Sequence, residues 1–202
     1  MGREALIDDV LPSKLSLAEW LDLPEDEPGE LVEGRLEEEE APDFVHEALV
    51  ALLAHLFAGW VFPRGGMVAG SEVKLVLGER LGRKPDLVVY LPGSPLPPRR
   101  GPVRVPPDIA VEVLSPKPRN VRRDRVEKLA DYAAFGIRFF WLVDPELRTL
   151  EVLELGSDGR YVHALGASSG IFENVPGCEG LVVDLDGIWA TIDRLTTGTE
   201  GN

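Results

Sequence analysis

Residues 108–143 read DIAVEVLSPKPRNVRRDRVEKLADYAAFGIRFFWLV, and the order of elements in that stretch decides the fold. Ile109, Ala110, Val111, Val113 and Leu114 form a short apolar run bounded by prolines, the pattern of a strand covered on both faces. From about Asn120 to Phe135 a helix is expected, with Val126, Leu129, Ala130 and Ala133 as its apolar stripe and Gly136 as its stop. RFFWLVDPE, residues 138–146, is a second strong strand, turned by Asp144-Pro145. Strand, helix and strand in that order predict a right-handed crossover in a mixed sheet. The expected class is α/β or α+β, a mixed central sheet flanked by helices, in one domain over residues 1–202.

On the N-terminal side, Ser16 and Glu19 make a capping box that opens the short helix SLAEWLDL. ELVEGRLEEE reads as a hairpin turning near Gly34, and Asp43 caps a helix to about Ala58 with Phe44, Ala48, Leu52 and Leu56 at core spacing. VFPRGGMVA and SEVKLVLG read as strands, ERLGRK as a turn, and PDLVVYLP as a buried strand before the proline-rich loop SPLPPRRGPVRVPP. On the C-terminal side come TLEVLEL, a short strand near Tyr161, a loop, LVVDL and a last helix to about Leu195, with residues 196–202 expected to be a disordered tail.

No uninterrupted apolar run approaches the roughly 20 residues of a bilayer span, and the N-terminus lacks the pattern of a signal peptide. With Cys178 as the one cysteine, neither an internal disulfide nor a cysteine-rich zinc site is available. A cytoplasmic protein with no membrane partner is expected. The net charge of −14 argues against nucleic acid at first sight. The distribution weakens that objection: nine Lys or Arg stand against four acids from Arg99 to Lys128, whereas eleven acids stand against three bases from Asp144 onward.

Glu112 interrupts the apolar strand, and a buried carboxylate is costly unless it is paired, hydrogen-bonded or bound to a metal. Asp86 opens the preceding buried strand, and the long loop between the two allows these strands to pair. Two carboxylates brought close repel one another, and a divalent cation removes the conflict; hard oxygens suit Mg²⁺ or Mn²⁺. The Val113 carbonyl could add a third ligand, with waters and a substrate phosphate completing the shell. Taken singly, Glu112 also reads as half of a buried salt bridge to Lys128 or Arg125, and Asp86 as a turn residue satisfying local amides.

Pro85-Asp86 at the head of one strand, followed by an acid in the next, resembles the PD-(D/E)XK restriction-endonuclease-like nuclease superfamily. VEVLSP, then DRVEKLADYAAFGIRFFWLVDPELRTLEV, resembles more narrowly the Uma-type restriction endonucleases, formerly a domain of unknown function. ELVEGRLEEEE and the helix holding His46 fit the same group, so the resemblance spans about residues 15–185. It implies a restriction-endonuclease-like fold and a Mg²⁺- or Mn²⁺-dependent endonuclease acting on nucleic acid, DNA in the first place, as a homodimer or higher oligomer. It further implies Asp86 and Glu112 as metal ligands, and Glu30 or Glu33 as an auxiliary one.

One position departs from the pattern. Where the superfamily places a lysine two residues after the acid, this chain has Leu114. Lys128 on the crossover helix and Lys74 within Glu72-Val73-Lys74 are the leading substitutes, and Lys117 is the third. His46 could assist with phosphate or water, and Arg119, Arg122, Arg123 and Arg125 crowd a helix start where phosphates would be favoured. Loss of the strand lysine and the acidic net charge leave a second reading open: a nuclease-like domain without catalysis that serves as a nucleic-acid or protein interaction module. A metal-free hydrolase acting on sugars is the third.

Overall fold

The strand–helix–strand unit forms, with its two strands in parallel. In the computed structural model, which describes residues 14–24, 29–37, 42–115 and 122–196, strand β7 (Ile109–Val113) pairs in parallel with β8 (Phe139–Asp144), Ile109 beside Phe139 and Val113 beside Val143. Both are buried along their whole length, which explains their near-continuous apolar sequence. Between them lies a π-helical stretch, Arg123–Lys128, running into helix α3 (Leu129–Phe135), which Gly136 ends at a φ of 91°.

Upstream of the crossover, the described elements are α1 (Leu17–Asp22), β1 (Glu30–Val32), β2 (Arg35–Glu37), α2 (Phe44–Val61), β3 (Met67–Ala69), β4 (Leu75–Gly78), β5 (Leu81–Arg83) and β6 (Leu87–Tyr90). Downstream are β9 (Thr149–Leu155), β10 (Tyr161–Ala167), β11 (Ile171–Val175), β12 (Cys178–Asp184) and α4 (Leu185–Thr196). Among the described residues the strands form a six-stranded sheet, β10-β9-β8-β7-β6-β3, a four-stranded sheet, β2-β1-β5-β4, and the ribbon β11-β12. Helices α2 and α4 cover one face of the large sheet through Leu53, Phe57, Val111, Trp141 and Trp189. The other face carries Val88, Ala110, Phe140 and Leu142 and packs against Tyr132 and Leu129 of the crossover helix.

Several boundaries differ from expectation. VFPRGGMVA is not a strand throughout: α2 runs through Val61 into a 3₁₀ turn at Phe62–Arg64 that Pro63 favours, and only Met67–Ala69 pairs. The α2 core face is Leu49, Leu53, Phe57, Trp60 and Val61, while Phe44 is 74% exposed. By length and composition alone Phe44–Arg64 is long and apolar enough to cross a bilayer, which a search for unbroken runs misses because His46, Glu47 and His55 interrupt it. ERLGRK contains strand β5, where Gly82 lies flat under the Trp20 ring; a Cβ there would fall 2.3 Å from the indole. The loop expected after Tyr161 holds β11, and the tail beyond Thr196 lies outside the described residues.

The crossover helix differs most. Its buried side chains are Asp124, Lys128 and Tyr132, four residues apart, with Arg123; Val126, expected inside, is 58% exposed. The helix therefore turns a polar face to the sheet, because the sheet beneath it carries Glu112.

Candidate metal and phosphodiester site

The site begins with an interruption of the β6–β7 ladder. Leu87, the first residue of β6, lies opposite Val111, so Asp86 stands just beyond the end of the ladder, near enough to Glu112 for its charge to act on that carboxyl. Pro85 has no amide to donate to a further rung, and the Val113 N–H is taken by a side chain: the Asp86 carboxylate accepts it on Oδ2 at 2.7 Å. Two carboxylates brought close repel one another, so both require partners.

Asp86 receives His46 from the first turn of α2, with Nε2 at 3.3 Å from Oδ2. Asp43 caps that turn through the His46 amide, which fixes where the imidazole projects. Burial alone would lower the imidazole's pKa, but the hydrogen bond and charge of Asp86, with Glu47 and Asp43, raise it. Among the described residues no hydrogen bond takes Asp86 Oδ1, and the buried Nδ1 of His46 has no hydrogen-bond partner.

Glu112, 3% exposed, accepts the Lys128 ammonium at 2.8 Å on Oε2 and the Tyr132 hydroxyl at 2.6 Å on Oε1. Its carboxyl is pushed well above the usual range by burial and by the charges of Asp86, Asp124 and Glu30, with Lys128 working against them. Burial opposes the Lys128 ammonium, but Glu112, Glu30 and Asp124 override it, so the amine stays protonated. Burial and Glu112 likewise keep Tyr132 a phenol, and therefore a donor.

Glu30 reaches this centre from β1 and Glu33 does not. Glu30 is fully buried: Oε2 accepts Arg83 Nη1 at 2.8 Å, Oε1 accepts the Lys84 amide at 2.8 Å, and Oε1 lies 3.4 Å from Lys128 Nζ. Burial alone would raise its pKa, but Lys128 and Arg83 bring it below the ordinary value. Arg83 is held in turn by Asp131 of α3, at 2.6 Å from Nη2. Glu33 sits at the exposed β1–β2 turn with a φ of 52°, its carbonyl accepting Arg80.

Of the candidate lysines, Lys74 is placed elsewhere. Its ammonium caps the end of α1, donating to the carbonyls of Trp20 at 2.9 Å and Leu23 at 3.2 Å. Lys117 and Arg119 lie outside the described residues. The remaining arginines do not form one open array. Arg122 is exposed, Arg123 is turned inward with Nε 3.8 Å from Asp124, and Arg125 binds Glu151 at 2.6 Å. The basic middle of the sequence is also divided: the loop bearing Arg99, Arg100 and Arg104 enters β7 at Ile109, the end away from Glu112.

Sequence reasoning missed Asp124, Tyr132, Arg83 and Asp131. A signal existed for two of them: Asp124, Lys128 and Tyr132 recur every four residues and share a helix face.

The donors are oxygens, as Mg²⁺ and Mn²⁺ prefer. Among the described residues no three carboxylate, imidazole or thiol groups converge as a ready-made cage. A carboxylate pair nevertheless fits Mg²⁺, which is commonly held by one or two carboxylates, waters and substrate phosphate. Burial first, then the charges of Asp86, Asp124 and Glu30, disfavour the ionised Glu112 carboxyl, and a cation beside it would favour that ionised form.

The mixed sheet, the flanking helices and the carboxylate pair at the carboxyl end of β7 define a restriction-endonuclease-like α+β fold. The chain belongs to the Uma2 family, described as "Putative restriction endonuclease", whose model matches residues 17–186. It is similar in structure to a protein from Anabaena variabilis ATCC 29413 described as a "putative nuclease belonging to DUF820". The TM-score is 0.69 at 20% identity, covering 88% of this chain and 99% of that one, so the likeness is one of fold. No curated protein matches the chain.

Proposed function

We propose that this chain is a Mg²⁺- or Mn²⁺-dependent endonuclease that hydrolyses nucleic-acid phosphodiesters, with DNA as the substrate. The observation that carries the reading is the two carboxylates at one end of β6 and β7, Asp86 holding the Val113 amide and Glu112 the Lys128 ammonium at 2.8 Å. Family membership supports the reaction class.

Asp86 and Glu112, with the Val113 carbonyl, would hold the cation. A bound cation of this kind polarises a phosphoryl oxygen and lowers the pKa of a water. The side chains divide the remaining work. Lys128 stays charged, so it is no general base; its ammonium donates to the attacking water or to a phosphate oxygen as negative charge develops there. Tyr132 fixes the plane of Glu112 through Oε1, and the Val113 amide fixes Asp86 through Oδ2. His46 steadies Asp86 from the opposite helix.

The test is cleavage of supercoiled and linear DNA in Mg²⁺ or Mn²⁺, compared with Asp86→Ala and Glu112→Ala. Metal-dependent nicking lost in both variants supports the reading; full Mn²⁺-dependent cleavage by either refutes it. A second reading, an interaction module without catalysis, is favoured by the pairing of Arg123 and Arg125 with acids and by the net charge of −14. Salt-dependent DNA binding without cleavage in either metal would select it.

A further inference from the structure

Three buried carboxylates surround one ammonium. Lys128 Nζ lies 2.8 Å from Glu112 Oε2, 3.4 Å from Glu30 Oε1 and 3.4 Å from Asp124 Oδ1. None of the four residues is more than 4% exposed. Neutralising Glu112 needs one lysine and no further acids, and each added buried carboxylate carries its own desolvation cost. Glu30 and Asp124 therefore call for a separate explanation.

Their anchoring differs from that of Glu112. Glu30 is pinned from the far side by Arg83 and the Lys84 amide, so it stays in place whatever happens at Glu112. Asp124 stands one turn before Lys128 on the same helix, and its buried Oδ1 makes no hydrogen bond of its own; Lys128 and, at 3.8 Å, Arg123 are the cations beside it. Neither acid lies on the β6–β7 pair that faces the proposed cation.

A divalent cation on Glu112 would take the oxygen charge that Lys128 leans on and would repel the ammonium. With Glu112 as its sole partner, Lys128 would leave as the metal entered, and water and phosphate would lose their donor. We propose that Glu30 and Asp124 are positioning residues that hold the Lys128 ammonium at the site independently of Glu112, so that ammonium and metal can be present together. Its purpose rests on the endonuclease reading; its geometry does not.

The experiment uses the full chain with ¹⁵N-labelled lysine and Glu112→Gln, which removes the Glu112 charge without any metal. The ammonium cross-peak of Lys128, assigned by its loss in Lys128→Arg, is visible where proton exchange is slowed by ion pairing. The expected result is a peak in the wild type and in Glu112→Gln, and none in Glu112→Gln/Asp124→Asn or Glu112→Gln/Glu30→Gln. Loss in Glu112→Gln alone, or survival in both double variants, overturns the proposal.

If the amide spectra show that the double variants do not fold, Asp124→Asn and Glu30→Gln in the wild-type background decide it. Each should speed that exchange about threefold or more, and unchanged exchange overturns the proposal. On an active enzyme, Asp124→Asn should lower kcat about tenfold at saturating metal with KM within about twofold, and Asp124→Glu should restore part of it. An unchanged kcat counts against it. Wild-type protein that cuts nothing removes the endonuclease reading and leaves the ammonium result standing.

Discussion

Replacing Lys128 by Met keeps the length of the side chain and removes its charge. What remains is Glu112 with a single phenolic partner, and Glu30 and Asp124 facing the same uncompensated space. Breaking a buried ion pair by deleting one partner costs about 3–5 kcal/mol, and this ammonium is 1% exposed with its nearest carboxylate at 2.8 Å. For a chain of this size that corresponds to a fall in Tm of roughly 6–20 °C. Glu112→Gln alone should cost less, about 1–3 kcal/mol, because Glu30 and Asp124 still face the ammonium. In the double variant the two losses should overlap by about 1–3 kcal/mol, the coupling expected of groups in contact. Urea unfolding followed by tryptophan fluorescence measures all four corners of the cycle, with the m-value checked for constancy. Lys128→Met costing under about 1 kcal/mol, or single effects that simply add, would refute the picture of a tightly held buried pair.

The other expectations are simpler. Lys74→Met should loosen α1, seen as faster amide exchange near Trp20 and a loss of about 1–3 kcal/mol, while metal-dependent cleavage is unchanged; loss of cleavage at intact stability would return Lys74 to the active site. Burial pushes the Cys178 thiol up to about 12, so at pH 8 the native protein holds almost no thiolate and should react with Ellman's reagent only as fast as it opens. Rapid stoichiometric labelling of folded protein would contradict that burial. Arg122→Glu should weaken DNA binding and reduce the salt slope by about 1, whereas Arg125→Gln, whose partner is Glu151, should change the slope less; equal effects would mean that Arg125 leaves Glu151 for phosphate.

The parts legible in the sequence are those where a local signal and the tertiary structure agree. β7 and β8 are buried on both faces, so their apolar runs are unambiguous, and Gly136 separates helix from strand. Asp86 and Glu112 stand out because a charge in such a strand is anomalous. β5 stayed hidden because its glycine, which reads as a turn, is there to let Trp20 lie on the backbone. The resemblance puts Lys128 first among the three lysines, but the helix pattern does not, for a related reason. Placing Val126, Leu129, Ala130 and Ala133 inward turns Lys128 to the opposite side of the helix, toward solvent. The structure reverses this, burying Asp124, Lys128 and Tyr132, because packing here is governed by the carboxylates below.

That reversal also accounts for Leu114. With a side-chain period of two, residue 114 shares the Glu112 face of β7, and there it is 2% exposed among Ile137, Phe140 and Leu142, with its amide bound to Val143. A lysine at this position would have to carry its charge out of an apolar cluster. The crossover helix instead delivers an ammonium from above, beside acids from β1 and from its own preceding turn. The strand position is thereby freed for packing, while Glu112 keeps a cation within 2.8 Å. A lysine restored at 114 tests the trade directly. Leu114→Lys should destabilise by roughly 2–5 kcal/mol, the cost of an overfilled core and a poorly paired charge. In the Lys128→Met background it should not recover cleavage, because its ammonium has no counterpart to the Glu30 and Asp124 contacts. Recovery of cleavage there would show that a cation near Glu112 suffices and that the place from which it comes is immaterial.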